Sequence, residues 1–143
     1  RGVASVPVVK QKLQVVFQNE ELARQFVSLD PRTRAMVWES AYLANRFGYR
    51  VVVTSIHRPD GIHSTWGACD LDFVQTEPNP PSDYHDFGPL TARYLNKTYK
   101  YGRGWLGRTK PAALWHGGDS PDLTAGWHLH LQSPAGRDMK LVN

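Results

Sequence analysis

The sequence predicts an α+β fold, with N-terminal helices packed on a small, mainly antiparallel sheet. Three observations carry this. Capped segments with helical spacing fill residues 19–48. Short β-branched or alternating runs follow at 49–55, 68–74, 112–116 and 127–132. One further helical stretch, 90–102, stands between the second and third of those runs. The order is helix, helix, strand, strand, helix, strand, strand, with helices leading the sheet. At 143 residues the chain is expected to be one domain with a sizeable core. Residues 1–18, which begin at Arg1 without a Met, read as an extended lead-in or linker remnant, and 19–143 as the domain.

"NEELARQFVSL" (19–29) reads as a short helix with Asn19 as its cap. In "DPRTRAMVWESAYLANRFG" (30–48), Asp30 is a good N-cap, Pro31 suits the first helical position and Gly48 ends the helix. Val37, Trp38, Ala41 and Ala44 recur at helical spacing and give its buried stripe. "YRVVVTS" (49–55) is compact and β-branched, a central strand. "ACDLDFV" (68–74) alternates, with Cys69, Leu71 and Phe73 on one face and Ala68, Asp70 and Asp72 on the other. Cys69 is therefore a small core residue and not a nucleophile. "TEPNPPSDYHDFGP" (76–89) reads as a loop, and "LTARYLNKTYKYG" (90–102) as a helix ended by Gly102. "AALWH" (112–116) and "WHLHLQ" (127–132) are strands joined by a turn-rich segment.

Composition removes several classes of function. No apolar run approaches the length of a membrane-spanning helix. A single cysteine excludes intrachain disulfides and zinc sites of the CxxC type, so any metal must be held by His, Asp or Glu. The net charge of +4 suits an anionic partner. The basic residues are scattered, the densest cluster being 99–110, and no nucleic-acid-binding motif is present, so no nucleic acid is expected.

The chemistry-bearing residues begin with "AGWHLHLQ" (125–132), which holds two of the six histidines. On a strand, Trp127, Leu129 and Leu131 face the core and His128 and His130 share the other face, their Cα atoms about 6.5–7 Å apart. "HSTWGACD" (63–70) adds His63 in a loop and Asp70 on the polar face of the next strand. Two imidazoles and a carboxylate with a fourth position open form the usual catalytic zinc arrangement. Here that shell is His63, Asp70 and one of His128 or His130. Arg58, at the end of "TSIHR" (54–58), can stabilise an oxyanion or grip a substrate carboxylate.

"TSIHR", "HSTWGACDLD", "LWHGGD" and "WHLHLQ", taken in order over residues 50–132, resemble the zinc peptidases that cut D-amino-acid-containing peptides of peptidoglycan. These include D-Ala-D-Ala carboxypeptidases and dipeptidases, phage L-alanyl-D-glutamate endolysins and a periplasmic murein endopeptidase. The hedgehog signalling domain shares their fold. The resemblance implies one zinc ion per chain on His63, Asp70 and His130, with Arg58 steadying the oxyanion. Two departures stand out. Gly67 lies four residues after His63 where the family has three, and Gly61 stands where Ser is usual. Position 127, where many members carry an acidic base, is Trp. The murein endopeptidase branch has a His-x-His strand instead, which makes His128 the base, with Asp119 or Asp122 as alternatives. His116 can hydrogen-bond and orient a ligand, and Asp72 can do the same.

The implied function is a zinc-dependent carboxypeptidase or endopeptidase of stem peptides or cross-links, acting as a monomer at the bacterial cell wall or in the periplasm. Two rivals stay open at this level: a catalytically inactive zinc module of the same fold, and a metal-free basic module binding cell-wall or other polymer.

Overall fold

The structure, a computed structural model, describes residues 14–59, 61–79, 83–103, 109–117 and 126–133. It has the expected α+β architecture. Three helices, α1 (Glu20–Phe26), α2 (Pro31–Arg46) and α3 (Tyr84–Thr98), accompany a five-stranded sheet. The strands of that sheet are β1 (Val15–Phe17), β2 (Tyr49–Ser55), β3 (Ala68–Gln75), β6 (Ala113–His116) and β7 (His128–Gln132), in the order β1-β2-β3-β7-β6. β1 runs parallel to β2, and every other neighbouring pair is antiparallel. A separate two-stranded ribbon joins β4 (Lys100–Arg103) to β5 (Thr109–Pro111).

The first two helices start where their caps dictate. The Asn19 side chain accepts from the Leu22 N–H, and the Asp30 carboxylate from the Arg32 N–H. Val37, Ala41 and Ala44 are buried as their spacing demands, together with Met36, Thr33 and Ser40. Trp38 is a correction: it is 43 % exposed and meets Phe26 edge-on. It lies one helical step, roughly 100°, round from Val37, and the buried stripe closes on Met36, Val37 and Ser40 instead.

The segment 76–89 is also corrected. α3 begins at Tyr84, inside the expected loop, because the Asp83 carboxylate caps it through the His85 N–H. Pro89 inside the helix removes one backbone bond, which costs about 3 kcal/mol. Burial of Phe87 and Leu95 offsets this, at about 1.5–3 kcal/mol each. Gly88 is required for closeness: a Cβ there would lie 2.4 Å from the Trp115 ring. The helix ends at Thr98, and Gly102 lies in β4 rather than capping it. β1, too, falls within the stretch read as a lead-in.

The core is one cluster between the sheet and the helices. Leu71, Leu129 and Leu131 are fully buried, as are Cys69, Val51 and Val53. The two leucines flanking His130 fix the register of β7. A slip by one residue would expose both and push His130 into the core, several kcal/mol uphill.

Candidate metal centre

Strand alternation builds the site. With Cys69 and Leu71 turned into the core, Asp70 emerges on the opposite face of β3. In register, Asp70 pairs with His130 across β3 and β7, Leu114 with His130 across β6 and β7, and His116 with His128. His63 arrives from a single turn of 3₁₀ helix, Ile62–Thr65, just before β3. A bulge at Thr54 shifts the β2–β3 register opposite Asp70, so that Val53 faces Leu71 and Ser55 faces Asp70. Such bulges re-aim the chain that follows. Here the chain that follows brings the Ile56 carbonyl to the His63 ring and Arg58 to Asp70.

His63, Asp70 and His130 are all buried, and one ligand atom from each lies within 4.8 Å of the others. His63 Nε2 is 3.4 Å from Asp70 Oδ2, and His130 Nδ1 is 2.9 Å from Asp70 Oδ1. Donor atoms about 2.0–2.2 Å from one tetrahedral zinc lie roughly 3.3 Å from each other, so the three side chains form a group that can hold a metal ion.

The hydrogen bonds on the far side of each ring sharpen this. His63 Nδ1 is 2.7 Å from the Ile56 carbonyl, which can only accept, so the proton sits on Nδ1 and Nε2 turns toward Asp70. Buried His63 Nε2 has no hydrogen-bond partner among the described residues. His130 Nε2 is 3.0 Å from the Gln132 side-chain oxygen, and the Gln132 amide NH₂ donates to the Pro111 carbonyl at 2.8 Å. That second bond sets the amide orientation, so His130 Nε2 is a donor and Nδ1 faces Asp70. Two ring nitrogens thus converge on one carboxylate, each with its proton held at the other end of the ring. Either each ring takes up a second proton or one metal ion accepts both lone pairs. For Asp70 itself, burial pushes the carboxyl pKa upward. The His130 and His63 rings that face it outweigh burial and hold the carboxyl well below the usual range.

The neighbours complete the face. Arg58 Nη2 is 3.8 Å from Asp70 Oδ2, and its side chain is 54 % exposed. His128 Nδ1 donates to the Gly126 carbonyl at 2.9 Å, leaving Nε2 toward the site, 3.9 Å from Asp70 Oδ1. Gly117 brings that carbonyl close: with φ of 126°, its position would put a Cβ 2.5 Å from Gly126 O. The His116 ring lies 4.4 Å from that of His128 and 5.9 Å from that of His130. Burial lowers the His116 pKa, and His128 and His130 add to this against Asp70. Asp72 is half-buried; desolvation raises its pKa, countered by His128 and reinforced by Asp70. His57 turns from the metal group and stacks on Trp66 at 4.4 Å. His85 is exposed on the first turn of α3, edge-on to Trp127.

Of the residues expected from sequence, His63, Asp70, His130, Arg58, His128 and His116 come together, with Asp72 beside them. Asp119 and Asp122 lie outside the described residues. Trp127 is half-buried just before β7, its ring stacked on Trp115 at 6.0 Å. Gln132 and the Ile56 carbonyl were not anticipated. The signal for Gln132 was present: it stands two residues after His130, so the alternation that aligns the histidines places it on the same face. Compared with protein-family models, curated proteins and solved structures, the chain finds no match. No helix among the described residues is long and apolar enough to cross a membrane.

Proposed function

We propose that this chain is a zinc-dependent peptidase that hydrolyses D-amino-acid-containing stem peptides or cross-links of bacterial peptidoglycan, at the cell wall or in the periplasm. The observation that carries the reading is the convergence of His63 Nε2 and His130 Nδ1 on Asp70 with both outer ring nitrogens already committed as donors. An all-His/Asp set with Arg58 and His128 at its rim suits a catalytic site with an open position better than a closed structural one. The sequence resemblance supplies the substrate class.

His63, Asp70 and His130 would hold the ion, and when bound it supplies a Lewis acid that acidifies water and polarises a carbonyl. Arg58 is half-exposed at the rim, where its fixed charge stabilises negative charge developing on the scissile carbonyl oxygen. His128 keeps one proton on Nδ1 through Gly126 and offers Nε2 as the base. It takes a proton from the attacking water and returns it to the leaving amine. His116, its ring tilted at 59° and 4.4 Å from that of His128, restrains that ring.

The test is to incubate the purified chain with peptidoglycan sacculi of different stem peptides and measure new amino groups, alongside metal content. One zinc per chain with release of amino groups supports the reading. Zinc without release would identify an inactive zinc module. Absence of bound metal would leave the basic polymer-binding alternative.

A further inference from the structure

We infer that Gln132 is a positioning residue that selects which nitrogen of His130 faces the metal, and so tunes the affinity of the site. This rests on the metal-site reading above.

Gln132 is 8 % exposed, at the end of β7, and its amide is used at both ends. The NH₂ donates to the Pro111 carbonyl at 2.8 Å, and the oxygen accepts from His130 Nε2 at 3.0 Å. Because a carbonyl cannot donate, the amide cannot turn over without facing oxygen to oxygen. The chain of bonds therefore runs one way: Pro111 carbonyl, Gln132 amide, Gln132 oxygen, His130 Nε2–H, with the His130 Nδ1 lone pair left for the ion. Its anchor lies in β5, outside the five-stranded sheet. The main chain reinforces it, since the Gln132 N–H donates to the Ala112 carbonyl at 2.8 Å, next to that anchor. His63 gets the equivalent restraint from a backbone carbonyl. Of the two ring orientations, only that of His130 depends on a side chain, and so only that one is open to substitution.

An acceptor on the outer nitrogen orients the imidazole and raises its basicity, and losing such a partner typically costs about 10–100-fold in metal affinity. The experiment compares the full chain with Gln132→Leu and Gln132→Glu. Zn²⁺ affinity is read by competition with a chromophoric chelator, and ¹⁵N NMR of the zinc-loaded protein reports which His130 nitrogen binds. Gln132→Leu should bind Zn²⁺ about 10–100-fold more weakly. Gln132→Glu keeps an acceptor toward Nε2 but turns its other oxygen to the Pro111 carbonyl, so it should lose clearly less affinity than Gln132→Leu. The parent should bind through Nδ1 with a protonated Nε2. Equal affinity in Gln132→Leu, equal losses in both variants, or coordination through Nε2 would each overturn the inference. If Gln132→Leu does not fold, the parent spectrum still decides it. A parent chain that binds no Zn²⁺ would overturn the metal-site reading itself, a result distinct from a parent that binds normally and ignores position 132.

Discussion

Asp70 and His130 stand directly opposite one another on β3 and β7, and their side chains meet at 2.9 Å. His63 reaches the other carboxylate oxygen from a separate turn. The turn before β3, β3 itself and the distant strand β7 thus depend on one point. Single replacements of His63, Asp70 or His130 by Ala should each lower bound zinc and abolish hydrolysis. In the parent, saturation at 100 times Kd should stabilise the fold by about 2.7 kcal/mol, and chelation should reverse this. Metal content by atomic absorption and melting with and without chelator are the measurements. Stoichiometric zinc in all three variants would place the site elsewhere.

Arg58 allows a cleaner separation of binding from catalysis. A guanidinium does not ligate zinc, and its side chain is 54 % exposed. Arg58→Ala should keep its metal and change stability by no more than about 0.5 kcal/mol. Turnover should fall by roughly 10²–10³, the usual cost of losing an oxyanion donor. An unchanged rate would make Arg58 a surface residue beside Asp70 and nothing more.

The site was more legible in sequence than the fold around it, for a physical reason. Strand alternation is local, so "ACDLDFV" and "WHLHLQ" state which side chains share a face before any partner strand is known. Which strands are neighbours is not local. That Asp70 lands opposite His130 follows from β3–β7 pairing across about sixty residues of chain; donor chemistry grouped Asp70 with one of His128 or His130, and the resemblance pointed to His130. β1 was invisible because three residues become a strand only by pairing with Val51–Val53. The start of α3 was hidden by Pro and Gly, whose local preference for turns is overridden by Phe87 in the core and by Gly88 against Trp115. The bulge at Thr54 leaves no pattern at all in "VVVTS", yet it directs Arg58 toward Asp70.

Asp30 gives a pH prediction well away from the metal group. Burial pushes its carboxyl pKa up, but hydrogen bonds from the Arg32 side chain and N–H, the Arg32 charge and a Ser133 bond bring it below the ordinary value. A carboxyl with a depressed pKa in the folded state stabilises the fold above its unfolded pKa, near 3.9. That contribution disappears as pH falls through the folded value. Asp30→Ala should cost about 0.5–2 kcal/mol at neutral pH through loss of the α2 cap. Asp30→Asn keeps a capping oxygen and should lose less, and its deficit should shrink below about pH 4. Urea melts from pH 3 to 7 check this; a deficit for Asp30→Asn that grows on acidification would reverse the sign and refute it.

His128 is placed where the proposed base would have to stand. It shares a face with His130, its Nε2 lies 3.9 Å from Asp70, and its Nδ1 proton is held by Gly126. His128→Ala should retain zinc while the rate falls by about 10²–10⁴, the range for losing a general acid–base group. Gly117→Ala tests the same point from behind, since the added Cβ would collide with the Gly126 carbonyl that orients the ring. It should lower turnover without touching any ligand or releasing zinc. Zinc loss in His128→Ala would make His128 a ligand and move the base to Asp119 or Asp122. Full activity with full zinc in that variant would reduce His128 to a polar residue on a half-covered strand, and the collision at Gly117 would then have no consequence for the rate.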